Sequence, residues 1–203
     1  MRVGVMGGTF DPIHIGHLVA AEEVRWALGL SRVIFVPAGQ PPHKEPGEVS
    51  AVADRVRMVE LAIASNRYFE LSLVDVERPG RSYTVDTLRI LRERLGEAVE
   101  LFFIVGMDSL ADLPRWREPR GIIALARLAV VNRPPYPPVE LDALERTLPG
   151  ISGRVEMVRM PGIYVASSDL QERVARGLPI KYQVLEPVEG YIRERGLYLG
   201  RRR

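Results

Sequence analysis

The sequence predicts an α/β fold: a doubly wound parallel sheet with helices on both faces. Three observations carry this. Short apolar runs alternate with stretches of helical apolar spacing along the whole chain. Runs such as RVGVM (2–6) and VELFFIVG (99–106) lack polar alternation, as strands covered on both faces do. The Gly-, His- and Asp-bearing motifs each follow a predicted strand, and open parallel sheets bind ligands outside the carboxyl ends of their strands.

Taken in order, 2–6 is a buried strand and GHLVAAEEVRWAL (16–28) a helix. RVIFVPA (32–38) is a second strand, followed by a Pro- and Gly-rich loop at 39–50. VADRVRMVELAIAS (52–65) is an amphipathic helix, and FELSLVDVE (69–77) a short strand. TVDTLRILRERL (84–95) is a helix with Thr or Asp available to cap it. The strand at 99–106 leads into a loop at 107–120. LARLAVVNRP (125–134) is a strand, VELDALERTL (139–148) a helix and RVEMVRM (154–160) a strand. SSDLQERVARG (167–177) is a capped helix stopping at Gly, and EPVEGYIRERGLY (186–198) a last helix. No repeat and no long linker divides the chain. The expectation is one domain, 1–203, with a small helical C-terminal portion at about 165–203.

Bulk composition excludes several classes. The 203 residues are 46% hydrophobic and 27% charged, ordinary for a globular protein. There is no Cys, hence no disulfide and no thiolate chemistry. No apolar run approaches the roughly 20 residues of a membrane span. The N-terminus has no signal-peptide hydrophobic region, so a cytoplasmic location without membrane contact is expected. A net charge of +2 does not mark a nucleic-acid binder, and the terminal RRR reads as a solvated tail. A homo-oligomer is left open.

The chemistry concentrates at GGTFDPIHIGHL (7–18), which holds two of only three histidines. Gly7 and Gly8 are expected to turn the chain tightly after a strand ending near Met6. The following helix start offers unpaired N–H groups and a dipole favouring an anion. The stretch fits neither G-x-x-x-x-G-K-[ST] nor G-x-G-x-x-G. His14 and His17, at i and i+3, share a helix face and can both donate to one phosphate chain. Two other readings stand beside this: buried histidines satisfied by backbone, and a metal site, for which His43 is the one remaining imidazole.

GGTFDPIHIGHL resembles the T/H-x-G-H motif of the nucleotidyltransferase superfamily, and looks most like that of the bacterial nicotinate-nucleotide adenylyltransferases. FVPAGQPPHK (35–44), RSYTVDTL (81–88), FIVGMDSLADLPRW (103–116) and VEGYIRERGLY (188–198) are similar to the same family in order and spacing. The resemblance implies a Rossmann-like nucleotidyltransferase sheet. It also implies transfer of AMP from ATP to nicotinate mononucleotide, giving deamido-NAD and pyrophosphate, with Mg²⁺ accompanying ATP. His14 and His17 would clamp phosphates as the catalytic pair. Gly7, Gly8, Thr9, Phe10, Lys44, Gly106, Asp108, Ser167 and Ser168 would bind ATP and its phosphates, with Asp108 at the ribose. Tyr83, Thr84, Trp116 and Arg117 would bind the mononucleotide: Trp116 stacked on the pyridine ring, Thr84 at its carboxylate, and Arg117 favouring an acid over an amide.

One stretch departs from the family. Its C-terminal motif runs Ile-Ser-Ser-Thr-x-Ile-Arg, whereas here VASSDLQ (165–171) places Ala166 at the first Ser and Gln171 at the Arg that meets the triphosphate. Arg173 lies two residues on, about 200° round a helix. Three competing readings remain: a related enzyme with another acceptor such as phosphopantetheine, a nucleotide-binding regulator without catalysis, and an RNA-acting protein suggested by the literal HIGH at 14–17. The segments SYTVDTL and DLPRW argue against the first. The last lacks a KMSKS-like segment.

Overall fold

The computed structural model describes residues 1–45, 47–132 and 140–200. Strands β1 (Arg2–Gly8), β2 (Arg32–Pro37), β3 (Phe69–Leu71), β4 (Glu100–Gly106), β5 (Arg127–Asn132) and β6 (Val155–Arg159) form one sheet. Every neighbouring pair is parallel, in the order β3-β2-β1-β4-β5-β6. The chain winds outward from β1 to β3, then returns to lay β4 on the other side of β1. The strand order therefore reverses between β1 and β4, where such a sheet opens a crevice.

Successive side chains of a strand point to opposite faces, and this sorts the core. Val33 and Phe35 of β2, Phe102 and Ile104 of β4, and Ala129 and Val131 of β5 fill one face. Ile34 and Val36, Phe103 and Val105, and Leu128 and Val130 fill the other. The first face is covered by α1 (Ile15–Ala27), α2 (Val52–Ile63), α8 (Ser167–Ala175) and α9 (Glu186–Glu194). The second carries α3 (Val74–Glu77), α4 (Thr84–Leu95), α5 (Met107–Asp112), α6 (Pro119–Leu125) and α7 (Leu141–Thr147). The C-terminal helices thus share a core with α1 and α2. Tyr191 of α9 also donates to Asp54 of α2 at 2.7 Å, and this bond holds the phenol above its ordinary pKa. No helix among the described residues is long and apolar enough to cross a membrane.

The structure departs from the sequence expectation at four places. Of 69–77, only Phe69–Leu71 is strand; after Ser72 the N–H groups of Val76 and Glu77 turn back to the Leu73 carbonyl, making α3. The region read as a loop at 107–120 contains α5, a 3₁₀ turn at Leu113–Arg115 and the start of α6, pieces too short to show a helical period. Gly7 and Gly8 do not turn. They stay in β1, paired with Val36 and Pro37, and the reversal falls on Thr9–Pro12, with Phe10 at φ +51°. The N-caps of α4 and α8 are Tyr83 and Ala166, without a side-chain cap bond. Residues 133–134 of the expected fifth strand, 139 of the following helix and the 201–203 tail lie outside the described residues.

Phe35 is fully buried and packs on Phe10 and Phe69, with ring centroids 5.9 and 5.0 Å away. Phe35→Ala is expected to lower unfolding free energy by about 3–5 kcal/mol, read as a shifted urea midpoint.

Candidate active site

The turn between β1 and α1 belongs to neither sheet nor helix, yet Phe10, Asp11, Pro12 and Ile13 are all buried. Its polar groups are satisfied from elsewhere in the chain. Arg55 of α2 donates from Nη1 to the Thr9 carbonyl at 2.9 Å. The Asp11 carboxylate accepts from the Ser50 N–H at 2.9 Å and the Tyr198 hydroxyl at 2.7 Å. From α8, Gln171 Nε2 donates to the Asp11 carbonyl and Ser167 Oγ to that of Pro12, the latter at 2.9 Å. Burial pushes the Arg55 guanidinium below its ordinary pKa, opposed by the charge of Asp11.

This turn delivers the histidines. His14 is the N-cap of α1 and is buried; His17 sits three positions in and is half-buried. Their rings stack at 3.8 Å with a 26° interplanar angle, and the edge of Phe10 supports His17 at 5.1 Å. The His14 N–H donates to His17 Nδ1 at 3.3 Å, so the proton of His17 belongs on Nε2. His17 Nδ1 is thus an acceptor of a backbone N–H, and a ligand would meet His17 through Nε2. The helix start is less open than expected too, since the Ile15 N–H already donates to the Gln183 carbonyl at 3.0 Å.

Two clefts meet here, at the carboxyl ends of β1 and β4. One, of about 310 Å³, is lined by His14, His17, Gly106, Asp108, Ser167 and the apolar Ile163 and Val165. The other, of about 530 Å³, is lined by Gly8, Thr9, Lys44, Tyr83, Thr84 and Arg117. Both volumes suit small-molecule ligands. Gly7, Phe103 and Trp116 line both. A Cβ on Gly106 would lie 2.5 Å from Asp108 Oδ1, so glycine lets that carboxylate fold back over the start of α5. Trp116 stands edge-on to Phe103 at 6.1 Å. The Arg117 guanidinium lies over the Tyr83 ring at 4.6 Å, with Asp86 and Glu118 oxygens at 3.9 and 3.7 Å.

Thirteen of the fifteen candidate residues line the two clefts. Phe10 does not; it is buried and props His17 from behind. Ser168 does not either, being exposed and directed to Asp169. Gln171 is turned onto the Asp11 carbonyl, and Arg173 is spent on the Pro179 carbonyl. Sequence reasoning missed Asp75, Ser82, Thr87 and Arg115, all lining the larger cleft. Asp75 accepts from Thr87 Oγ1 at 2.7 Å and Arg78 Nε at 3.0 Å. Reading 69–77 as a strand hid Asp75, because a strand would have aimed it elsewhere. Among the described residues, no three His, Asp or Glu side chains gather as a metal site.

The cytidylyltransferase-like family model matches residues 5–173. The chain belongs to the cytidylyltransferase-like family. It is 49% identical over 197 residues to a Thermomicrobium roseum protein named "Probable nicotinate-nucleotide adenylyltransferase", covering 97% of this chain and 91% of that one. A protein of the same name from Roseiflexus sp. is 46% identical over 196 residues, 97% of each. Among solved structures, the Plasmodium falciparum nicotinic acid mononucleotide adenylyltransferase complexed with NaAD matches with a TM-score of 0.79 at 18% identity, covering 97% of both chains. At that identity the likeness shows the fold. The six-stranded parallel sheet is this family's nucleotidyltransferase architecture.

Because the added methyl would displace only a side-chain oxygen, Gly106→Ala is expected to leave the melting temperature unchanged. On the ribose role the resemblance implies for Asp108, it should weaken ATP binding about tenfold by moving a charge-assisted contact, read by titration calorimetry.

Proposed function

We propose that the protein is a nicotinate-nucleotide adenylyltransferase. It transfers AMP from ATP to nicotinate mononucleotide, forming deamido-NAD and pyrophosphate for NAD biosynthesis. The observation that carries this is the joining of two clefts along Gly7, Phe103 and Trp116, one flanked by stacked imidazoles and the other by Lys44, Thr84 and Arg117. The names of the relatives and the NaAD held by the Plasmodium protein support the same reading.

In this reading the acceptor's phosphate oxygen attacks the α-phosphorus of ATP. A new P–O bond forms as the bond to the β-phosphate oxygen breaks, and pyrophosphate leaves with its electron pair. No base is needed, since a phosphate monoester with a second pKa of about 6 is mostly dianionic at neutral pH. The protein's work is to align two anions and neutralise developing charge. His17 Nε2–H donates to a phosphate oxygen, with His14 stacked behind it. Asp108 accepts from ribose hydroxyls. Lys44, which the resemblance assigned to the phosphates of ATP, lines the cleft of Tyr83, Thr84 and Arg117 and is read here as facing the acceptor phosphate, with Trp116 at the pyridine ring. The N-terminus of α4, at Thr84, offers an N–H group and a positive dipole end to the ring carboxylate, the Tyr83 N–H being already donated to the Arg81 carbonyl at 3.1 Å. Arg117 is partly neutralised by Asp86 and Glu118, so acid preference rests more on α4 than on that guanidinium. A divalent cation such as Mg²⁺ would travel with the triphosphate, held by phosphate and water; the described residues form no cage for it, and no step is assigned to it.

The deciding experiment is pyrophosphate release from ATP and Mg²⁺ with nicotinate mononucleotide, nicotinamide mononucleotide or phosphopantetheine. Turnover with the first alone is expected; comparable rates with the amide overturn the acid preference, and no release with any overturns the reaction. His17→Ala is expected to cut kcat by about 10²–10³, the loss typical of one transition-state donor, with ATP affinity nearly unchanged.

A further inference from the structure

Arg55 is 1% exposed and reaches neither cleft. Its guanidinium donates to four backbone carbonyls: Nε to Ser50 at 3.1 Å, Nη1 to Thr9 at 2.9 Å and Ala38 at 2.7 Å, and Nη2 to Gly39 at 3.1 Å. Those carbonyls lie in three places. Thr9 begins the turn that carries the histidines. Ala38 and Gly39 open the 39–50 segment that holds Lys44, and Ser50 closes it.

Carbonyl dipoles pointing at one spot repel each other unless a group with donors alone stands between them. A planar guanidinium has five donors in a fixed fork and can span them; an ammonium is a point with three. Asp11, itself 3% exposed and bonded to the Ser50 N–H, supplies the opposing charge. The first end of the segment has a second hold, because Ser82 Oγ accepts from the Gly39 and Gln40 N–H groups at 2.9 and 3.3 Å. Gly39 itself runs so close to α3 that a Cβ there would meet the Asp75 carbonyl at 2.2 Å. Lys44, by contrast, is exposed, with its reach set by where the segment's ends are fixed.

We infer that Arg55 is a positioning residue for the transfer reaction. It locks both ends of the Lys44 segment to the histidine turn, so that the acceptor phosphate held by Lys44 meets the donor phosphate held by His17 in line. The inference rests on the adenylyl transfer proposed above. Arg55 touches no substrate; it acts through Lys44.

The test is a double-mutant cycle on kcat/KM for nicotinate mononucleotide at saturating ATP and Mg²⁺, using Lys44→Ala, Arg55→Lys and the double variant, each checked by circular dichroism and thermal melting. Lys44→Ala alone is expected to lose about tenfold or more, but less than about threefold when Arg55 is already Lys, because residues acting through one another are not additive. The same loss in both backgrounds overturns the inference, as does a Lys44→Ala variant with wild-type activity. Absence of pyrophosphate release from the wild-type protein instead overturns the proposed reaction. Should Arg55→Lys fail to fold, Ser82→Ala, which releases the other hold on Gly39, takes its place in the cycle. Coupling between Ser82 and Lys44 is then the supporting result, and additivity the overturning one.

Discussion

The arrangement depends on one constraint: a turn, Thr9–Pro12, buried from Phe10 on, whose backbone polar groups no ladder or helix satisfies. Such groups need partners, and the chain supplies them from distant places. Arg55 comes from α2, Gln171 and Ser167 from α8, and Tyr198, 187 positions after Asp11, from beyond α9. The histidines sit at the end of this turn, so their placement is a property of the whole fold. This also explains why the C-terminal helices share the α1–α2 core. They close the back of the site and fix the turn that presents its front.

The neutral side chain at position 171 fits this frame. An amide suffices to reach the Asp11 carbonyl, and no charge is brought there. The Lys and Arg side chains among the described lining residues, Lys44, Arg115 and Arg117, belong to the larger cleft. The smaller one is flanked by imidazoles. That asymmetry suits the two substrates of the proposed reaction. ATP arrives with part of its charge neutralised by a divalent cation, while a mononucleotide dianion arrives bare and needs protein cations.

The sheet was legible because strands buried on both faces must be apolar throughout, which sets 2–8, 32–37 and 100–106 apart. Thr9, His14, Lys44 and Asp108 follow those strands within a few positions, which made that part of the candidate site legible, whereas Tyr83, Thr84, Trp116, Arg117 and Ser167 were singled out only by resemblance to a family. What was not legible depends on pairings far apart in the chain. Arg55 lies in an amphipathic stretch, yet it is buried among carbonyls 5 to 46 residues away. Asp75 and Thr87 take their roles from each other and from Arg78. The short helices α5 and α6 give no period to read, so the approach of Trp116 to Phe103 emerges only from the folded chain.

At Gly7 the structure gives a different reason for glycine from the one the sequence suggests. A tight turn would explain a glycine there, but Gly7 is extended and paired with Val36. A Cβ would meet nothing closer than the Phe103 ring at 3.6 Å, so sterics within the protein do not demand glycine. What lies beside it is the seam between the clefts, since Gly7 is one of three residues lining both. In-line transfer requires the acceptor oxygen and the α-phosphorus to approach to about 3–3.5 Å. A methyl group at the seam would stand in that gap. On the proposed reaction, glycine at position 7 is kept for the space it leaves to substrate, and the seam it lines is where the new bond forms.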